Sequence, residues 1–273
     1  EEEIDYAHSR KLPIKITKKS PYSIDKNIWG VAIEAGHLEN PWSEPPRDSY
    51  IMTVPPGETP AKPAVVTLDF KNGLPVRLNG KKLSFVDIIE RLNEIGGKHG
   101  IGRLDMVENR LVGIKSREIY EAPAATIIMA AHEALESLVM DREYAHYKKT
   151  LSVKYGELVY YGLWFSQLRE ALDAFFAKHQ HRVSGTVKMK LDHGNVILAG
   201  RKSPYSLYEE KLATYSKVTP LIISRPTVLS RFGVCLMKRK IKKENQSAQT
   251  RKPSLWGGRF KNGLDDEARA FSY

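Results

Sequence analysis

Cysteine is almost absent. The one cysteine in 273 residues, Cys235, excludes an internal disulfide framework and suits a reducing cytoplasm. No apolar run reaches the roughly 20 residues that a membrane-spanning helix requires, and no signal peptide is visible, so neither a membrane partner nor secretion is expected. The usual phosphate loops are missing as well. The glycine-rich stretch GGKHGIGRLD, 96–105, lacks both a Gly-Lys-Ser/Thr ending and GxGxxG spacing, so no nucleotide site can be argued from it. There is no initiator methionine, and EEEIDYAHSR reads as the tail of a helix, which implies a chain that begins mid-protein.

What is abundant is positive charge, at a net +11. A folded basic stripe would point to nucleic acid, but the excess is uneven. Residues 218–273 hold 12 Lys or Arg against 4 Asp or Glu, whereas residues 1–217 hold 31 against 28. The basic character belongs to the tail, and no nucleic-acid partner is expected for the rest.

Periodicity gives an α+β reading. AVVTLDF and LPVRLNG flank Lys71-Asn72-Gly73, a hairpin signal, and RVSGTVKMKLDHGNVILAGR repeats the pattern around His193-Gly194-Asn195. LSFVDIIERLNEIGG predicts an amphipathic helix capped by Ser84 with Asp87 and stopped by Gly96 and Gly97. Pro123 opens a helix with Ile127, Ala131, Leu135 and Leu138 on one face. A further helix is expected from Glu143 to Trp164, burying Leu151, Tyr155, Leu158 and Val159. Another starts at Ser166 as N-cap and buries Leu168, Leu172, Phe175 and Phe176. Residues 46–64, with five prolines, read as an extended surface connection. Hairpins at both ends of a helical segment argue against a doubly wound parallel sheet.

Between the first two predicted helices lies KHGIGRLDMVENRLVGIKSREIYEAP, 98–123, which concentrates glycines, carboxylates, basic groups and a tyrosine. It predicts one or two strands broken at Glu108, Asn109 and Arg110. Its polar groups serve either a ligand or a satisfied hydrogen-bond network. On spacing alone, Ser23 reads as an N-cap and Tyr120 as core.

The strings PYSIDKNIWG, EAGHLENPW, LNEIGGKHGIGRLDMVENRLVGIKSR, MDRE and GRKSPYSLY, in this order and spacing, resemble the carboxy-terminal part of the argininosuccinate synthase family over residues 1–217. The resemblance implies a synthetase and oligomerisation domain with antiparallel hairpins and long helices. The family's nucleotide-binding α/β domain, which carries an SGGxDS loop and binds ATP with Mg2+, is absent here. It also implies a carbon-nitrogen ligase of arginine biosynthesis. ATP adenylates the ureido oxygen of citrulline, the amine of aspartate displaces AMP, and the enzyme works as a cytoplasmic homotetramer. Without the ATP loop, this chain is expected to be inactive alone. The alternative is a non-catalytic oligomerisation or citrulline-binding module. Carried over position by position, the family's citrulline contacts fall on Ser23, Glu108 and Tyr120. Three positions depart from the pattern. Ala32 stands for a serine that also touches citrulline, Glu118 for the glycine of SRG, and Ala125 for the glycine before Thr126; replacing a glycine matters most where its φ is positive.

After Tyr215 the family's expected continuation, similar to GDTFDHKAAEGFIKVWGLP, does not follow. Permissible codons for Val218 to Lys238, read from the last base of the Lys217 codon, reproduce that continuation, which implies a single-base frameshift near codon 217. Residues 218–250 are then an out-of-frame, poorly ordered stretch. Within 251–273, SLWGGRF resembles the opening of argininosuccinate lyase, without any lyase catalytic element.

Overall fold

A computed structural model describes residues 2–13 and 22–210. The proposed frameshift region, the lyase-like remnant, Cys235 and the boundary at 217 all lie outside the described residues. After the helix α1 (Glu2–Ser9), the described strands form two antiparallel sheets. The first contains β1 (Ser23–Lys26), β2 (Val31–Glu34), β6 (Arg103–Asn109) and β7 (Lys115–Glu121), in the order β1-β2-β7-β6. The second contains β3 (Ala64–Lys71), β4 (Leu74–Leu78), β5 (Lys81–Lys82), β8 (Gly185–Asp192) and β9 (Asn195–Lys202), in the order β5-β4-β3-β8-β9. This is the α+β class expected from the sequence.

Both anticipated hairpins form, because Asn72-Gly73 and His193-Gly194 hold the positive φ values that a two-residue turn demands. A third such pair, Asn79-Gly80, stands at the end of the predicted strand LPVRLNG and turns the chain back into β5. Helix α2 (Phe85–Lys98) starts on the predicted capping box: Ser84 Oγ accepts from Asp87 N at 3.1 Å and the Asp87 carboxylate accepts from Ser84 N. Gly96 and Gly97 do not stop this helix. They lie in its last turn, buried, where Gly97 lets the backbone pass so close to Met52 that a β-carbon would sit 2.3 Å from the Met52 carbonyl oxygen.

Helix α3 (Pro123–Val139) joins α2 on one face of the five-stranded sheet. Ile88, Leu92, Ile127, Ala131 and Leu135 interlock there with Val66, Leu68, Val187 and Leu191 in the main core. Burying one such aliphatic side chain stabilises the fold by roughly 1.5–3 kcal/mol. The other two helices, α4 (Arg142–Tyr160) and α5 (Gln167–Gln180), are capped by Asp141 and Ser166 and pair through Tyr155, Leu158, Leu172 and Phe176. Here the sequence expectation was too broad. The α4 helix ends at Tyr160 rather than Trp164, and Val159 and Leu168 are exposed. A two-helix hairpin covers only a narrow stripe; a residue one position beyond it is rotated about 100° away.

The four-stranded sheet has one apolar and one polar face. Val31, Ile33 and Ile119 project from the first onto Tyr22 and Leu38, with Tyr50 and Met52 packed alongside. Tyr50 and Met52 belong to the proline-rich 46–64 segment, which is less of a surface connection than its composition predicts. Ser49 and Thr53 are buried, and the Glu121 carboxylate pins the segment by accepting from the backbone N–H groups of Ile51, Met52 and Thr53 and from Thr53 Oγ1.

Candidate functional site

Strand alternation sends consecutive residues to opposite faces, so the residue before Glu121 points the other way. Register places Ser23 opposite Glu34, Ala32 opposite Tyr120, Glu108 opposite Ser116 and Met106 opposite Glu118. Ser23, Ala32, Glu34, Glu108, Ser116, Glu118 and Tyr120 therefore share the polar face. Ser23 is a strand residue and not a helix cap. Tyr120 is half-buried on this face rather than in the core.

Two of the three anticipated site residues touch directly: the Tyr120 hydroxyl donates to Glu108 Oε1. The same hydroxyl lies 2.8 Å from Glu118 Oε2. Arg110 reaches back from the end of β6, donating to Glu118 Oε1 at 2.5 Å, to Glu34 Oε2 at 2.7 Å and to Ser116 Oγ at 2.7 Å. From the end of α4, Tyr160 donates to Glu108 Oε2 at 3.3 Å. Ser23 joins through register, opposite Glu34 on the edge strand.

Electrostatically, two carboxylates, Glu34 and Glu118, flank one guanidinium, while a third, Glu108, meets only phenols among the described residues. Arg110 is held firmly charged, first by Glu118 and then by Glu34. Burial, followed by hydrogen bonds to Glu108 and Glu118, pushes the Tyr120 phenol far above its ordinary range, so it remains a protonated donor. Such an arrangement is complementary to a cationic, hydrogen-bonding group: carboxylates accept from an ammonium, while hydroxyls orient it.

Glu34, Arg110 and Tyr160 were not anticipated as members. Arg110 lay in the flagged polar run, but Glu34 and Tyr160 reach the site through pairings over long sequence separations that no local pattern encodes. Glu118 was noted only as a departure. It sits inside the network, and neither it nor Ala125 has a positive φ, so no backbone strain attends either residue. Ala32 lies opposite Tyr120 and offers no hydroxyl.

The fold is an α+β domain whose four-stranded antiparallel sheet gathers Glu34, Glu108, Glu118, Arg110 and two phenols into one polar network. The Arginosuccinate synthase C-terminal domain matches residues 22–223. The chain is 58% identical over 217 residues to the argininosuccinate synthase of Dictyoglomus thermophilum, covering 80% of this chain and 54% of that protein. Over 217 residues it is 54% identical to that of Desulfitobacterium hafniense and 55% to that of Pelodictyon phaeoclathratiforme, with the same coverages. The chain belongs to the argininosuccinate synthase family through its carboxy-terminal domain. It spans about half the length of the curated relatives it matches.

Proposed function

We propose that this chain is the citrulline-holding part of an argininosuccinate synthase, a ligase that joins citrulline and aspartate at the expense of ATP, releasing AMP and pyrophosphate. The observation that carries the reading is the direct contact of Glu108 with Tyr120 on the face shared with Ser23, the three residues that the family resemblance selects. In this reading Glu108 takes the α-ammonium of citrulline, and the hydroxyls of Ser23 and Tyr120 orient its polar ends. Binding energy at that end fixes the ureido oxygen for activation at the other.

ATP with Mg2+ does not fit this face. Glu34, Glu108 and Glu118 would repel a triphosphate that Arg110 alone cannot balance. We assign ATP and the SGGxDS loop to an amino-terminal domain that these 273 residues do not include, and expect the chain alone to be inactive. No described helix is long and apolar enough to cross a membrane, and a cytoplasmic homotetramer accords with the family. Apolar side chains at the β6–β7 tip, Leu111, Val112 and Ile114, and Phe165 between α4 and α5, are exposed and offer surfaces for such assembly. The family's tetramers use carboxy-terminal elements beyond residue 217, so assembly here should be weaker, and a stable tetramer in sedimentation would contradict that.

Calorimetric titration of the chain with citrulline tests the binding role. Turnover on adding the amino-terminal domain tests the catalytic one. Binding without restored turnover would favour the module reading, and absence of binding by the chain would refute the assignment. For the tail we propose the frameshift at codon 217 running into a lyase-like start; source DNA with an intact frame through Lys238 would refute it.

A further inference from the structure

Tyr120 has one hydroxyl proton but faces two carboxylates, Glu108 and Glu118. These acceptors are unequal. Arg110 pairs with Glu118 at 2.5 Å and ties it to Glu34, and the Glu118 side chain is only 10% exposed. Among the described residues, the partners of Glu108 are both phenols, Tyr120 and Tyr160. A guanidinium beside Glu118 weakens it as an acceptor relative to Glu108, which has no cation of its own. In the free protein the Tyr120 hydroxyl therefore donates to Glu108, leaving Glu118 Oε2 against the phenol oxygen.

An ammonium group arriving at Glu108 reverses this balance, because it supplies the missing positive charge and competes for the same lone pairs. The hydroxyl then turns about its C–O bond toward Glu118, and a lone pair of the Tyr120 oxygen faces the ligand. We propose that Glu118, clamped by Arg110, is a positioning residue for amino-acid binding: it receives the Tyr120 hydrogen bond once the ligand's ammonium takes Glu108. The proton never leaves the phenol oxygen, in keeping with its raised pKa. The proposal rests on the citrulline reading of Glu108 and Tyr120.

The test compares citrulline with the same molecule lacking its α-amino group, titrated into the full chain. Glu118→Gln keeps the shape; Arg110 holds its one carbonyl oxygen where it now holds Oε1, so the amide N–H faces the phenol and cannot accept its hydrogen bond. Citrulline affinity should fall about tenfold, the weight of one hydrogen bond to a charged group, while the deaminated ligand binds as before. In a Tyr120→Phe background the same substitution should add nothing. An equal loss for both ligands, or an undiminished loss in the Tyr120→Phe background, would overturn the proposal. If Glu108→Gln abolishes the preference for citrulline while Glu118→Gln preserves it, the positioning role alone falls. If the unaltered chain shows no preference, the citrulline reading falls and takes the proposal with it. Should Glu118→Gln fail to fold, infrared carboxylate bands of the unaltered, glutamate-labelled chain give the answer. Citrulline must perturb two glutamates and the deaminated ligand neither; one perturbed glutamate overturns the proposal.

Discussion

Replacing Glu121 by Gln should destabilise this domain far more than so small a change suggests. The carboxylate is fully buried and every contact it makes is as an acceptor: Oε2 takes Ile51 N–H at 2.7 Å and Met52 N–H at 3.0 Å, and Oε1 takes Thr53 N–H at 2.8 Å and Thr53 Oγ1 at 2.6 Å. Thr53 Oγ1 is free to donate because it accepts from Arg103 Nε at 2.6 Å. A glutamine has one acceptor oxygen and one donor amide. If the oxygen stays on the Thr53 side, the amide faces the Ile51 N–H, donor against donor, and flipping it only moves the conflict to Thr53. One buried donor is left unsatisfied, at roughly 1–3 kcal/mol, and the remaining bonds lose their charge assistance. Together these cost about 3 kcal/mol, a large share of the roughly 5–15 kcal/mol that holds a typical domain folded. Urea denaturation of the two proteins at neutral pH, followed by far-UV circular dichroism, measures it. A loss below about 1 kcal/mol would refute the acceptor-only account.

Gly97→Ala should cost about 2 kcal/mol or more in the same assay, because the added methyl meets the Met52 carbonyl oxygen at 2.3 Å; an unchanged midpoint would deny the close approach. Burial, then the nearby Lys148, lowers the His132 pKa from 6.5 to about 4, against a smaller opposing pull from Gln180. Its folded pKa is depressed, so the unfolded chain binds more protons between those values. The stability it contributes is present above pH 6.5 and is lost as pH falls toward 4, by at most about 3 kcal/mol. Glu136, its pKa raised mainly by burial, takes up its proton at a higher pH in the fold than in the unfolded chain and so opposes part of this. His132→Gln should therefore flatten the fall in urea midpoint between pH 6.5 and 4, and equal slopes in both proteins would rule this out. Arg117 donates to the carbonyls of Asn40 and Ser43 and pairs with Asp105, so Arg117→Ala should speed amide exchange in residues 38–43; unaltered exchange there would mean the loop is held by something else.

Features whose cause lies within a few residues could be read from the sequence. Ser84 with Asp87, Asn72-Gly73, His193-Gly194, Pro123 and Ser166 each act through local dihedral or capping chemistry, and each marks the element it was expected to mark. Features set by distant partners could not. Glu121 looks like any other strand carboxylate until Ile51, Met52 and Thr53 close on it, 70, 69 and 68 residues earlier in the chain. Gly97 looks like a helix stop because nothing nearby reveals that Met52 passes over it. Of the site, Ser23, Glu108 and Tyr120 were reached through family motifs, and Arg110 lay in view. The link from Glu34 to Arg110 required β2 to pair with β7, a register that local patterns leave open.

That register has a consequence for errors in the molecule. Tyr120 and Glu121 are neighbours on β7, one aimed at the polar face and the other at the buried segment. A slip of one residue would exchange their faces, thrusting a carboxylate toward the polar face and a phenol at three backbone N–H groups that need an acceptor. A misaligned copy would therefore lose the anchor of residues 51–53 together with the polar network, so alignment of the one is tied to the stability of the other.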